Sequence, residues 1–228
     1  METKEMVNIS VDRFVDIYER LKRVFDKDVV VIGGRAVNLY CFKDTRKTNN
    51  INMVVYQPDI SMKELDPKLI KNDFVRDFSD SKNLLIMDIK DKILGVEVNV
   101  HYSGLLNDVP LSHVIKYANN YQIITTKGNY QIKIASIPTI IALKATGRTK
   151  DNKDIRDLLN NYYNGNANEF LENERTKEEY AKFEESDISK IKKAVLGINE
   201  ENLDKENKLK DCMKNNWRVT FEILKREH

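Results

Sequence analysis

The sequence has little that would tie it to an oxidising compartment, a membrane or a polyanion. Its only cysteines are Cys41 and Cys212, and neither sits in a CxxC pattern. Two cysteines allow a single disulfide, but the expectation is a reducing compartment with both thiols as small hydrophobes. No window approaches about 18 consecutive apolar residues, so no helical membrane span is expected. Residues 1–16 hold no continuous apolar stretch, so no signal peptide is expected either. A cytoplasmic location follows, and the sequon Asn8-Ile9-Ser10 then has no consequence. An excess of one charge sign is also missing. The 38 basic and 36 acidic residues leave a formal charge of +2, which excludes a general pull toward nucleic acid or membrane surfaces. Any anion site must come from local clustering of Lys and Arg. No His/Cys spacing fits zinc. No Walker loop, dinucleotide fingerprint or Gly-x-Ser-x-Gly is present.

What is there suits a packed protein. The 228 residues allow one large or two small domains, and 41% are hydrophobic, enough for a core. Val11 to Phe25 repeats apolar residues at helical spacing. Val29 to Ile32 is a β-branched run of the kind buried on both faces. A short helix is expected over Ala36 to Phe42 and a strand over Ile51 to Tyr56. Asp59 to Lys71 reads as a helix with turns, punctuated by Pro58 and Pro67. Leu84 to Ile89 and Val96 to Tyr102 read as strands joined by a turn. Tyr121 to Thr126 and Tyr130 to Ile134 flank Lys127-Gly128-Asn129 as a hairpin. Helices are expected from Pro138 to Ala145 and from Asp151 to Tyr163, and Asn160 to Asn168 is the candidate linker. Strand signals dominate to residue 135 and helical signals afterwards. The expectation is α+β: residues 1–135 as an α/β core and 136–228 as a helical C-terminal domain, with 136–160 contributing to the core's site.

Three segments carry chemistry. Gly33-Gly34 follows a strand and precedes a helix, which lets a ligand approach the backbone and offers it free N–H groups. Taken alone, such a pair is usually just a turn. Asn50 and Asn52 lie two apart at the start of a strand and so project from one face. Glu97, Asn99 and His101 likewise share a face, opposite Val96, Val98 and Val100. The bland reading of that alternation is a half-exposed antiparallel strand.

In this order, Gly-Gly, a short helix and Arg46-x-Thr48-x-Asn50-x-Asn52 leading into an apolar strand resemble the signature of polymerase-beta-like nucleotidyltransferases. The Arg and Thr ahead of the pair resemble the AbiEii-type toxin family. Pro138 to Leu159 adds Lys144 and the run Arg148-x-Lys150-Asp151-x-x-Asp154, which is similar to that family's later helices. The resemblance covers about Val29 to Leu159 and implies a mixed sheet with flanking helices. It implies nucleotide transfer from an NTP to an acceptor, RNA, tRNA or protein, with Mg²⁺ as cofactor and an antitoxin as a partner. It gives Gly33, Gly34, Arg46, Thr48, Lys144, Arg148, Lys150 and Asp151 to nucleotide binding. It puts Asn50, Asn52 and Asn99 on the three metal-binding Asp positions. Glu97 is the alternative for the third, and a shifted register would recruit Asp44, Asp88 or Glu97 instead.

Those asparagines change the chemistry. Mg²⁺ prefers charged oxygen donors, and the family's ions neutralise the triphosphate and activate the attacking hydroxyl. An amide offers one neutral oxygen and cannot act as a general base. The expectation is an inactive copy with magnesium binding weakened or lost. Two origins fit: directed changes that trap a substrate complex or disarm a toxin, and natural loss in a pseudoenzyme. The alternative function is a nucleotide-binding scaffold without catalysis. His101 and His113 are candidate ligands whose ordinary reading is structural. In the C-terminal region, Ile188, Ile191, Ala194, Val195 and Ile198 form one apolar stripe, and Leu209, Met213, Trp217, Phe221 and Leu224 another. Both are expected to pack against the rest of the protein. The basic residues around the second, Lys205 to Arg226, are the candidate RNA surface.

Overall fold

The computed structural model describes residues 10–41, 50–77 and 85–198. Arg46, Thr48, Asp44, Cys212 and the basic segment from Lys205 to Arg226 lie outside the described residues.

The first helix, α1 (Val11–Phe25), matches its apolar periodicity. Ser10 caps it, its side chain accepting from the Arg13 amide. Asp12 in the first turn and Lys22 and Arg23 in the last suit the helix dipole. Phe14, Ile17, Tyr18, Leu21 and Val24 are buried along one side. The chain then runs through β1 (Val30–Ile32), α2 (Gly33–Cys41), β2 (Asn50–Val54), α3 (Met62–Lys71), β3 (Phe74–Arg76), β4 (Ile86–Asp91) and β5 (Glu97–His101). A small hairpin of β6 (Leu105–Leu106) and β7 (Val109–Pro110) leads to α4 (Leu111–Lys116), β8 (Asn119–Thr125) and β9 (Gly128–Ile134). Helices α5 (Ile137–Lys144), α6 (Thr149–Tyr162), α7 (Ala167–Glu172) and α8 (Glu174–Tyr180) follow. A further helix covers 185–198.

The expected α+β architecture is present. Seven strands form one mixed sheet in the order β3-β4-β5-β2-β1-β9-β8. Strand β1, buried at every residue, runs antiparallel to β2 and parallel to β9. Strand β2 runs parallel to β5, and β5 antiparallel to β4. The inner face of these strands is apolar: Ile51, Met53, Val98 and Val100 are fully buried. Arg20 on α1 reaches Asp91 at 2.7 Å, and Asp91 in turn accepts from the Leu94 amide at 2.9 Å, so α1 fastens the β4–β5 turn. All eight residues of α5 are buried, behind a Ser136 cap and a proline in the first turn. Ile191, Val195 and Ile198 of the last described helix are buried in the same apolar cluster, as the first C-terminal stripe predicts. No described helix is long and apolar enough to cross a membrane.

Four local expectations change. Helix α2 begins on Gly33 itself, with the glycine at φ +69°. Pro67 lies inside α3, where buried Leu65 and Leu69 hold the helix down despite one missing N–H donor. The hairpin strands β8 and β9 extend further than the sequence suggests, leaving only residues 126–127 between them. The candidate linker shrinks to a turn at residues 163–166, because α6 continues to Tyr162 and Asn166 caps α7.

Candidate functional site

Strand pairing gathers the predicted polar residues on one face. In the parallel pair β2–β5, Asn52 stands opposite Asn99 and Asn50 opposite Glu97. In the antiparallel pair β4–β5, Asp88 stands opposite Asn99. The four side chains form a hydrogen-bonded row. Asn52 Nδ2 approaches Asn50 Oδ1 at 3.5 Å, Asn50 Nδ2 donates to Asn99 Oδ1, and Asn99 Nδ2 donates to Asp88 Oδ1. All four are half-buried. Gly33 closes the corner. Strand β1 runs antiparallel to β2 with Ile32 opposite Asn52, so the turn into α2 arrives beside that amide. A side chain at Gly33 would come within 3.2 Å of Asn52 Nδ2, so the absence of a Cβ there makes the close approach feasible.

No protein-family model matches the sequence, and no curated protein does. Solved structures of nucleotidyltransferase type are similar to it. An antigenic nucleotidyltransferase-like protein from Paracoccidioides brasiliensis is 19% identical, over 82% of this chain and 94% of that one, with a TM-score of 0.48. The lincosamide antibiotic adenylyltransferase LnuA, solved with lincomycin bound, is 16% identical over 67% of this chain and 98% of its own, with a TM-score of 0.43. A putative nucleotidyltransferase from H. pylori is 14% identical over 86% and 96%, with a TM-score of 0.43.

The donor set on this face does not fit a two-magnesium centre. Such a centre needs several charged oxygens. Here three neutral amides stand where carboxylates are expected, and Asn50 and Asn99 turn their nitrogens into the cluster. Among the described residues no group of three His, Cys, Asp or Glu side chains converges as a metal-holding cluster. His101 lies on the same face of β5, 8% exposed. Burial lowers its pKa to about 4, with the nearby Asp88 charge opposing the shift. It is a neutral imidazole near pH 7.

The later motif forms a second cluster. Lys144, at the end of α5, reaches Asp151 at 3.2 Å and Asp154 at 2.5 Å, with all three buried. Thr146 donates its hydroxyl to Asp151 at 2.7 Å, and Arg148 reaches the same oxygen at 2.5 Å. Burial pushes the Asp151 pKa up, but the Thr146 hydrogen bond and the Lys144 charge, joined by Arg148, bring it below the ordinary value. The structure thus joins Lys144, Arg148, Asp151 and Asp154, while Lys150 is exposed. His113 is buried against the rings of Tyr117 and Phe183, each 4.6 Å away, consistent with a structural role.

Asp88 is the site residue that the main sequence reading left aside. It stood there only as an alternative metal ligand. Its strand pattern, Ile86-Met87-Asp88-Ile89, gives the parity of its face, but only the register with β5 places it next to Asn99.

Proposed function

We propose that the chain is a catalytically silent nucleotidyltransferase of AbiEii type, which binds a nucleotide beside Gly33 and Gly34 and does not transfer it. The observation that carries the reading is the row Asn52–Asn50–Asn99 on one sheet face against the Gly33 turn. Carboxylates in these places would repel one another until a cation joined them. Amides both donate and accept, so they satisfy each other with no cation between them. The general base is lost with the same substitutions, because an amide cannot take the acceptor's proton. The start of α2 supplies backbone N–H groups and a positive dipole end for phosphate oxygens. Arg46 and Thr48 are assigned to the nucleotide by the sequence motif. Lys144, Arg148, Lys150 and Asp151 are assigned to the nucleotide by the later sequence motif, and Lys144 reaches a phosphate only by exchanging one of its carboxylate partners for it. The reaction that the AbiEii-type resemblance implies moves a nucleotide from an NTP to an RNA, tRNA or protein acceptor with Mg²⁺.

The test is gain of function. The triple variant Asn50→Asp, Asn52→Asp, Asn99→Asp should transfer label from an NTP to a component of a cell extract when Mg²⁺ is present, and the unaltered chain should not. Transfer by the unaltered chain, or none by the triple variant with any of the four NTPs, overturns the reading. Calorimetry in chelator checks the binding half: the unaltered chain should bind an NTP without metal.

A further inference from the structure

We infer that Asp88 is a positioning residue of this site: it fixes the direction in which the three amides point, and so turns the site toward an oxyanion that carries no metal. The part about the ligand rests on the nucleotide-binding reading above; the part about direction stands on the geometry alone.

Asp88 is a carboxylate hydrogen-bonded to the end of the row of amides. A carboxylate only accepts, whereas an amide can meet a neighbour with either end. Asn99 must therefore present Nδ2 to Asp88, which leaves its Oδ1 on the β2 side. Asn50 meets that oxygen with its own Nδ2 and leaves its Oδ1 toward Asn52. Asn52 turns Nδ2 to it at 3.5 Å. The same Asn52 nitrogen is the atom closest to the place a Gly33 side chain would take. Each NH₂ has a second hydrogen beyond the one it uses in the row. The direction set at β4 thus delivers an N–H donor beside the first turn of α2, where backbone N–H groups also begin. Reversed, the row would put a carbonyl oxygen there, which suits a cation and repels a phosphate oxygen. A metal-chelated phosphate needs oxygen donors from the protein, and this direction withholds them.

Asp88→Asn keeps the shape and removes the acceptor-only character. The measurement is ¹⁵N–¹H NMR of the full chain without ligand, following the side-chain NH₂ groups of Asn50, Asn52 and Asn99. Exchange of the Asn99 and Asn50 groups should be about tenfold faster in Asp88→Asn, as expected when a hydrogen bond to a charged acceptor goes. It should return to slow in Asp88→Glu. Unchanged exchange in Asp88→Asn overturns the inference. If that variant does not fold, Asp88→Ser repeats the test, since a hydroxyl also donates and accepts. The ligand arm is calorimetry with ATP in chelator. Asp88→Asn should bind several-fold more weakly although it has lost a negative charge. Tighter binding is what charge removal alone predicts, and it would overturn the positioning role. If the unaltered chain does not bind ATP, the nucleotide reading fails, and the amide exchange still decides the direction.

Discussion

Asn52 and Asn99 face each other directly across the parallel pair β2–β5, and the Asn52 nitrogen lies 3.2 Å from where a Gly33 side chain would begin. Three separate stretches of sequence therefore meet at one corner of the sheet. Each is unremarkable alone, and their meeting makes the site.

Placing acids at positions 50, 52 and 99 would set three new carboxylates beside Asp88. In chelator the triple variant should be less stable than the unaltered chain by about 1–3 kcal/mol, from lost hydrogen bonds and like-charge repulsion. Mg²⁺ or Mn²⁺ should recover much of that loss, because an ion that binds the folded state stabilises it. Thermal melts with and without divalent cation read both effects. A triple variant unaffected by chelator and cation would mean that the positions do not act together.

Gly33→Ala should destabilise by about 1–2 kcal/mol in urea titration, because φ is +69° and an L side chain is strained there. The new methyl would also press on Asn52 at 3.2 Å. NTP binding should fall more than stability does, since the substitution fills the approach to the first turn of α2.

Lys144→Met removes the buried cation that Asp151 and Asp154 share, leaving Arg148 on Asp151, and should cost about 3–5 kcal/mol. Asp151 has a pKa lowered in the folded state. Its contribution is complete above the unfolded value and disappears as pH falls through the folded one. Asp151→Asn should therefore flatten the acid limb of the stability curve below about pH 4, measured by urea midpoints across pH.

His101 shifts in the same direction for a different reason. Its pKa falls from 6.5 to about 4 on folding because burial penalises the charged ring. The folded state then takes up its proton later than the unfolded chain. Stability tied to His101 is complete above pH 6.5 and drains away as pH drops toward 4, by roughly 2–3 kcal/mol. His101→Gln should remove that slope between pH 6.5 and 4. An unchanged slope would show that His101 is not buried as described.

Much of this was legible in the sequence because it is local. Helix α1 follows from apolar spacing over fifteen residues, and β1 from four consecutive β-branched residues. The parity of Asn50 and Asn52, and of Glu97, Asn99 and His101, follows from the two-residue repeat of any strand. Short elements escaped: β3 has three residues and α4 has six, too few for a period to show. Pro67 escaped because burial of its neighbours overrides its usual role as a helix breaker.

Sequence by itself determined which residues are amides and which face of its own strand each occupies. Only the tertiary structure decided that these faces coincide, that Asp88 joins them, and that Lys144 is held between Asp151 and Asp154. The reason is physical. A residue's side is set by the backbone repeat of its own strand, but its neighbours are set by register and strand order, and those are chosen by packing of the whole sheet rather than by any one segment.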